Sequence, residues 1–447
     1  MSSDGVLILS HCGFSFAEDL IAAIKARGLL PFVLSSRPVP EHGEQRLQTL
    51  RDHAAAVFAT DSHVLRMEDV EDAVASLRAA GQTVLACISV WEGYRPLMAE
   101  ANSRLGVSDL SAQRIEFLRD KHAVRNALHH AGLSRVTARR VTPAVLDELR
   151  RDAQAWFIKP VRGIASYGAF RLSPDTTWAT LEAIGEHARA DTVYASALGE
   201  HVEFIAEGYL AGTEFSFELL VSHGKPFVLG VHEKCELTEA NGTVLEDSCT
   251  SPPASLAAGD LASGLDWLRA VFEQLELGSG CFHVEARFDG ARWDLIEINP
   301  RVGGSLISHS VKALNEEAGM LELWLDLLLE QSGGTQHRAF AERLQRLAYT
   351  ADGTPPSEFA TFFRVYFATP GEIERIETRT DGRRPLIAQI LLKPGDVVPA
   401  TPREAFLGQL LWRMTRAERD AALPDLLAAS VTALDVHYRT TTPALET

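Results

Sequence analysis

Residues 281–304 read CFHVEARFDGARWDLIEINPRVGG. The stretch divides into two short strands joined at Asp289-Gly290. In the first, Phe282, Val284, Ala286 and Phe288 take one face and His283, Glu285 and Arg287 the other, because strand side chains alternate. In the second, Ile296 and Ile298 share a face, and Leu295, Glu297 and Asn299 share the opposite one. A three-residue turn over 290–292 sets Glu285 opposite Glu297. Two carboxylates facing each other destabilise a hairpin unless a cation lies between them. With an amide oxygen added they form a hard donor set suited to Mg²⁺. Arg301 follows closely, and Gly303-Gly304 open a helix whose bare N-terminus is an anion site. A hairpin with a solvated charged face would carry some of these charges too. What sets this one apart is the combination of Glu, Glu, Asn, Arg and a double Gly, the residue types of metal-assisted phosphoryl chemistry.

Upstream, residues 155–172 read AWFIKPVRGIASYGAFRL: a strand, a loop holding Gly163, Ser166 and Gly168, and a second strand. Lys159 closes the first strand on the face opposite Trp156 and Ile158. Such loops bring backbone N–H groups to phosphate, with Lys as a point charge, although this one is neither a Walker A loop nor a Rossmann turn. A polar helical stretch over 109–132 precedes it and contains LRDKHAVRNAL, with Lys121. From 202 the chain is strand-rich. Glu207 and Glu214 flank a break between two strands, the second with Glu214, Ser216 and Glu218 on one face and Phe215, Phe217 and Leu219 on the other. FVLGVHEK (227–234) is the returning strand and carries Lys234, and NGTVLEDSCTSPPASL (241–256), with Glu246, reads as a loop. Residues 260–276 are helical, as are LISHSVKAL and MLELWLDLLLEQSGG. Beyond Gly333-Gly334, helix and strand signals alternate.

The first hundred residues alternate buried strand and amphipathic helix: VLILS, FAEDLIAAIKARG, LLPFVLSS, MEDVEDAVASLRAAG, TVLACISV. That order implies a parallel sheet with crossover helices. The loop after the first strand lacks Gly-x-Gly-x-x-Gly, so a dinucleotide fingerprint is absent, and His11 there reads as a loop or core histidine. The 447 residues are 46% apolar and 23% charged, with net charge −17. This is an ordinary globular composition able to bury sizeable cores, and it disfavours nucleic acid and anionic membrane as default partners. Five cysteines without a Cys-x-x-Cys point to reduced thiols and a cytoplasmic location. The N-terminus does not have the make-up of a signal peptide, and no apolar run approaches the ~18 residues of a membrane span.

The order of these segments resembles the ATP-grasp superfamily over about 118–310. RDKHAVR is similar to its first nucleotide-lysine segment, FIKPVRGIASYG to its lysine and flexible loop, AEGYLAGTEFSFELL to its hinge strand, and VEARFD…DLIEINPRVGG to its metal-binding end. The C-terminal segment ILLKPGDVVPATPREAF resembles the L-amino acid ligase branch. The chain departs from the pattern in a loop poorer in Gly and in Gly208, where many members carry a charged residue.

The resemblance implies an α/β fold: an N-terminal parallel-sheet, Rossmann-like domain (1–115), an ATP-grasp lid with its linker helix (116–200), a core with the metal site (201–332) and a C-terminal α+β part (333–447). It implies ATP and two Mg²⁺, with Mn²⁺ as an alternative ion. Lys121 and Lys159 would contact the α- and β-phosphates beneath the Ser166–Gly168 loop. Glu207 and the backbone of Tyr209 and Leu210 would hold adenine, and Glu214 the ribose hydroxyls. Glu285, Glu297 and Asn299 would hold metal. Arg301 and Gly304 would stabilise the acyl-phosphate, with Lys159 catalytic beside them, and Lys234, Glu246 and Gly303 would lie on the substrate side. The implied activity is a carboxylate–amine ligase of the acid–amino acid type, joining an amino acid or related acid to an amine, with a homodimer as the default assembly. The alternatives are a purine-type ligase using formate or bicarbonate, a thiol-forming or kinase-type enzyme, and a non-catalytic nucleotide binder.

Overall fold

A computed structural model of the chain describes residues 3–14, 16–39, 43–199, 201–240, 243–333, 337–379, 383–399 and 405–439. The first unit runs β1 (Asp4–Ser10), α1 (Ala17–Ala26), β2 (Leu30–Ser35), α2 (Gly43–His53), β3 (Ala56–Ala59), α3 (Met67–Ala79) and β4 (Thr83–Ile88). The strands pair in parallel in the order β3-β2-β1-β4, as the alternation predicts. Helix α2 and strand β3 were not legible in the sequence. In α2 only Leu47 and Leu50 are buried, too narrow a stripe to announce a helix. His11 is 2% exposed, with Trp91 stacked on its ring, and is a core histidine. A short 3₁₀ turn, Glu92–Tyr94, then leads into α4 (Arg95–Leu105).

The helical stretch expected over 109–132 is two helices, α5 (Ala112–Arg119) and α6 (Lys121–His130). Asp120 separates them and caps the second, its carboxylate accepting from the Ala123 N–H at 2.9 Å. This cap places Lys121 in the first turn of α6, with Arg125 one turn further along the same face.

A small antiparallel sheet follows, built from β5 (Ala138–Arg140), β6 (Trp156–Pro160), β7 (Phe170–Arg171) and β8 (Phe204–Gly208) in the order β5-β8-β6-β7. Helices α7 (Pro143–Leu149), α8 (Trp178–Ala190) and α9 (Ala195–Leu198) accompany it. Trp156 and Ile158 join its core, so Lys159 emerges on the other face.

The largest sheet is antiparallel throughout. It comprises β9 (Thr213–Ser222), β10 (Lys225–Ala240), β11 (Thr243–Ser251), β12 (Gly280–Phe288), β13 (Trp293–Asn299), β14 (Phe359–Ala368), β16 (Ile387–Ile390) and β18 (Ala405–Thr415). Around it lie α10 (Ala258–Gln274), α11 (Ile307–Asn315), α12 (Met320–Gly333), α13 (His337–Leu347) and α14 (Arg416–Ser430). A third small sheet joins β15 (Gly371–Thr378), β17 (Val397–Val398) and β19 (Leu434–Tyr438). The 241–256 loop is a correction: 243–251 is a strand, paired with β10 and with β14. Its alternation is obscured by acidic and small polar residues, and the pairing to β14 comes from a segment more than a hundred residues away.

Helix α12 explains how these units hold together. Its sequence is apolar around most of the circumference, the mark of a helix buried on several sides. Leu323, Trp324, Leu325, Leu327 and Leu328 are all at most 1% exposed. The helix packs on α1 and β4 of the first unit and on β9 and β12 of the large sheet. The C-terminal end of β4 is thereby fixed beside the end of β13.

Candidate active site

The β12–β13 hairpin sets Glu285 opposite Glu297 and His283 opposite Asn299, by a route that alternation alone does not give. The turn spans four residues, 289–292, with Phe288 paired to Trp293. A bulge between Glu285 and Ala286 in the register then absorbs the extra residue at Ile296. The bulge also breaks the predicted faces of the second strand. Leu295 and Ile298 both enter the core, whereas Ile296 lines the cleft and its carbonyl accepts from Lys159 Nζ at 3.1 Å.

The cleft lies between the β5–β8 sheet with its 161–169 loop and the ends of β9, β12 and β13. It encloses about 790 Å³, part of it open to solvent. Apolar walls from Phe157, Ile164, Leu210 and Ile296 surround a floor of charged side chains, the usual make-up of a small-molecule site. Lys121, Lys159, Ser166, Glu207, Tyr209, Leu210, Glu214, Glu285 and Glu297 all line it. Gly168 does not: with φ +70°, it turns the loop against Pro160 and Ile184. Ala165 and Ser166 hold φ of +52° and +53°, a left-handed conformation that costs a residue bearing a Cβ.

The charged groups are interleaved. Lys121 Nζ lies 3.1 Å from Glu297, and Lys159 Nζ 2.6 Å from Glu207. Lys234 Nζ bridges Glu214 at 2.8 Å and Glu285 at 2.5 Å. Burial depresses the Lys159 ammonium below its ordinary range, with Glu207 only partly opposing it. For Lys121 burial acts the same way, but Glu297 and Glu92 outweigh it and raise the group. Burial pushes the Glu285 carboxyl up, yet Lys234 and His283 more than reverse this and hold it well below the usual carboxylate range.

Two carboxylates directly opposed across a hairpin, with an amide two residues on, fit a hard dication. Lysine ammonium groups hold both carboxylates in this structure, so positive charge is already called for at that point. Asn299 Nδ2 donates to Glu297 Oε1 at 2.7 Å; turning the amide would present its oxygen instead.

Sequence reading missed several supporting groups. Arg125, 2% exposed, donates Nε to Glu207 at 2.9 Å and Nη1 to Asp294 at 2.9 Å. Its spacing from Lys121 on one helix was the available signal. Arg287 holds Glu214 with two bonds, at 2.9 and 3.1 Å, and reaches the Tyr209 hydroxyl and the Leu210 carbonyl; its place on the Glu285 face could have flagged it.

Arg301, Gly303 and Gly304 stand apart from the cleft floor, toward the first unit. Arg301 donates Nη2 and Nε to Glu92 Oε2 at 2.9 and 3.1 Å, and Glu92 is 3% exposed. Arg95, fully buried, donates to the Pro300 carbonyl at 2.6 Å while Asp109 grips its other nitrogens. Glu92 and Arg95 follow the C-terminal end of β4, the edge where open parallel sheets place functional groups. Gly303 is required by packing, since a Cβ there would lie 2.7 Å from His283 Nδ1; at Gly304 nothing lies within 4 Å of that position. Glu246 lies in β11 opposite Leu237, and its side chain lies outside the described residues.

Residues 154–309 match the ATP-grasp domain family. Alanine–anticapsin ligase of Bacillus amyloliquefaciens is 25% identical over 256 residues, 52% of this chain and 51% of that protein. The chain thus matches about half the length of that curated relative. The crystal structure of L-amino acid ligase from Bacillus licheniformis superposes with a TM-score of 0.71 at 18% identity, covering 98% of this chain and 99% of that one. The biotin carboxylase domain of Hydrogenobacter thermophilus 2-oxoglutarate carboxylase, in complex with MgADP, ADP and bicarbonate, gives a TM-score of 0.66 at 13% identity, covering 96% and 90%.

Proposed function

This chain carries an ATP-grasp domain, and from that premise we propose that it is an ATP-dependent carboxylate–amine ligase. One substrate carboxylate attacks the γ-phosphorus, ADP leaves, and an acyl-phosphate forms. An amine then attacks the acyl carbon, the amide forms, and phosphate departs with one former carboxylate oxygen. The favoured substrates are two amino acids or a related acid and amine. The observation that carries this reading is the paired charge of the cleft: each of Glu207, Glu285 and Glu297 is held by a lysine within about 3 Å. A triphosphate entering with two dications could exchange partners there, its phosphate oxygens taking the lysines and the carboxylates holding the metal. Little net charge is then buried. The likeness to alanine–anticapsin ligase supports amino-acid-type substrates.

In this reading Glu285, Glu297 and Asn299 hold Mg²⁺, which when bound neutralises the transferring phosphoryl group. Lys121 and Lys159 bind α- and β-phosphates. Arg287, with its two bonds to Glu214, orients that carboxylate toward the ribose hydroxyls. The Tyr209 N–H is bonded to Ala155 and the Leu210 carbonyl to Arg287, so adenine contacts fall to the Tyr209 carbonyl and the Leu210 N–H. Arg301, held by Glu92, faces the acyl-phosphate with the Gly304 N–H.

The 161–169 loop closes over the phosphates. Its left-handed Ala165 and Ser166 are stabilised once phosphate engages the loop N–H groups. Limited proteolysis is expected to cut this loop in the free protein and to spare it with Mg-ATP; equal cutting in both conditions contradicts the role. The activity itself is tested by phosphate release over pairs of amino acids. Release that requires both an acid and an amine supports the ligase. Release with bicarbonate or formate alone moves the protein to the small-acid reading, and binding of ATP without turnover to a nucleotide binder.

A further inference from the structure

His283 lies on β12 directly behind Glu285 and is 6% exposed. Its ring stands between two carboxylates: Nδ1 is 2.7 Å from Glu218 Oε1, and Nε2 is 3.3 Å from Glu285 Oε1. An ionised carboxylate only accepts, so a ring so placed donates from both nitrogens. Glu218 is the cross-strand partner of His283 and is fully buried, accepting also from Ser216 Oγ at 2.9 Å. His232 stands 3.9 Å from the same oxygen. The chain at Gly303 runs close to the ring, since a Cβ there would lie 2.7 Å from Nδ1. One imidazole therefore touches both halves of the proposed site, the Glu285 carboxylate and the Gly303-Gly304 turn.

We infer that the Glu218–His283 pair is a positioning device for Glu285, a role that rests on the metal reading of Glu285 given above. Glu285 Oε1 accepts from both Lys234 and His283. When Lys234 turns to a phosphate, the His283 bond remains and keeps the carboxylate aimed into the cleft. Outer partners of metal-ligating groups act this way, and their loss typically costs about 10–100-fold in metal affinity or activity.

Two substitutions separate this role from simple packing. His283→Asn keeps a donor near the Nδ1 position for Glu218 but has none at the Nε2 position. His283→Gln keeps a donor near Nε2. Mn²⁺ binding to the protein–ADP complex is measured by electron paramagnetic resonance, with metal-free ADP affinity by calorimetry beside it. His283→Asn is expected to weaken Mn²⁺ by about 10-fold or more and leave metal-free ADP affinity unchanged, with His283→Gln restoring part of the loss. Wild-type Mn²⁺ affinity in His283→Asn, or equal losses in the two variants, overturns the inference. If either single variant fails to fold, Glu218→Gln/His283→Gln removes the buried charge and keeps the donor. It is expected to bind Mn²⁺ within about 3-fold of wild type, below the loss typical of a missing outer partner, and a larger loss overturns the inference. Glu285→Gln in the same assay keeps the two claims distinct. If it also binds Mn²⁺ normally, the metal reading falls; if it does not while His283→Asn does, only the positioning role falls.

Discussion

Glu297→Gln is expected to lower amino-acid-dependent phosphate release by at least about 10³-fold. A dication on the transferring phosphoryl group is worth several kcal/mol of charge stabilisation, and each ~1.4 kcal/mol is a factor of ten in rate. Glutamine keeps the size of the side chain and removes half of the carboxylate pair that would hold the ion. The fold is expected to survive. Glu297 is partnered by Lys121 and faces Glu285, so the change strips one buried cation of a partner while relieving repulsion between the two carboxylates. Glu285→Gln is expected to behave alike. Turnover across a Mg²⁺ titration, with thermal unfolding of each variant alongside, checks both points. Near wild-type turnover at saturating Mg²⁺ in either variant contradicts the metal assignment.

The second large effect falls on Arg301. It lies beyond the carboxylate pair and is held by a glutamate from the first unit, away from the walls that would enclose the nucleotide. Its charge matters once negative charge builds on the acyl-phosphate and the tetrahedral species. Arg301→Ala is therefore expected to lose about 10²–10³ in kcat, the range for removing one such stabiliser, with Mg-ATP affinity nearly unchanged. Lys159→Ala is expected to weaken ATP binding as well, because its phosphate partner is already charged in the ground state. Calorimetric ATP affinity beside phosphate release for both variants separates the roles. Loss of ATP affinity in Arg301→Ala in proportion to rate makes Arg301 a nucleotide anchor.

Much of this architecture was legible in the sequence because it rests on local periodicity. The strand–helix alternation of the first hundred residues gives a parallel sheet, and the two-residue period of β9 and β12 separates core from cleft. The opposition of Glu285 and Glu297 was also legible, although turn length and bulge offset each other: a turn one residue longer than expected is cancelled by the bulge at Ile296. Alternation assumes a regular strand, so it mislaid Leu295 and Ile296, on which the Lys159 contact depends. What stayed hidden is long-range. Glu92 and Arg95 meet residues 300 and 301 across about two hundred positions of sequence, where α12 ties the first unit to the large sheet. Strand β11 pairs locally with β10, but its other edge is covered by the distant β14, and acidic and small polar residues hide its alternation. The role of Gly303 is set by the ring of His283, and no local pattern distinguishes that from an anion-binding turn.

The central claim, ligation through an acyl-phosphate, is tested most directly by isotope transfer. The acid substrate is supplied with ¹⁸O in its carboxylate, and the phosphate released during amide formation is examined by mass spectrometry. One labelled oxygen in each phosphate, with release that depends on the amine, is the expected result. Unlabelled phosphate formed alongside amide product, or release indifferent to the amine, would contradict the account.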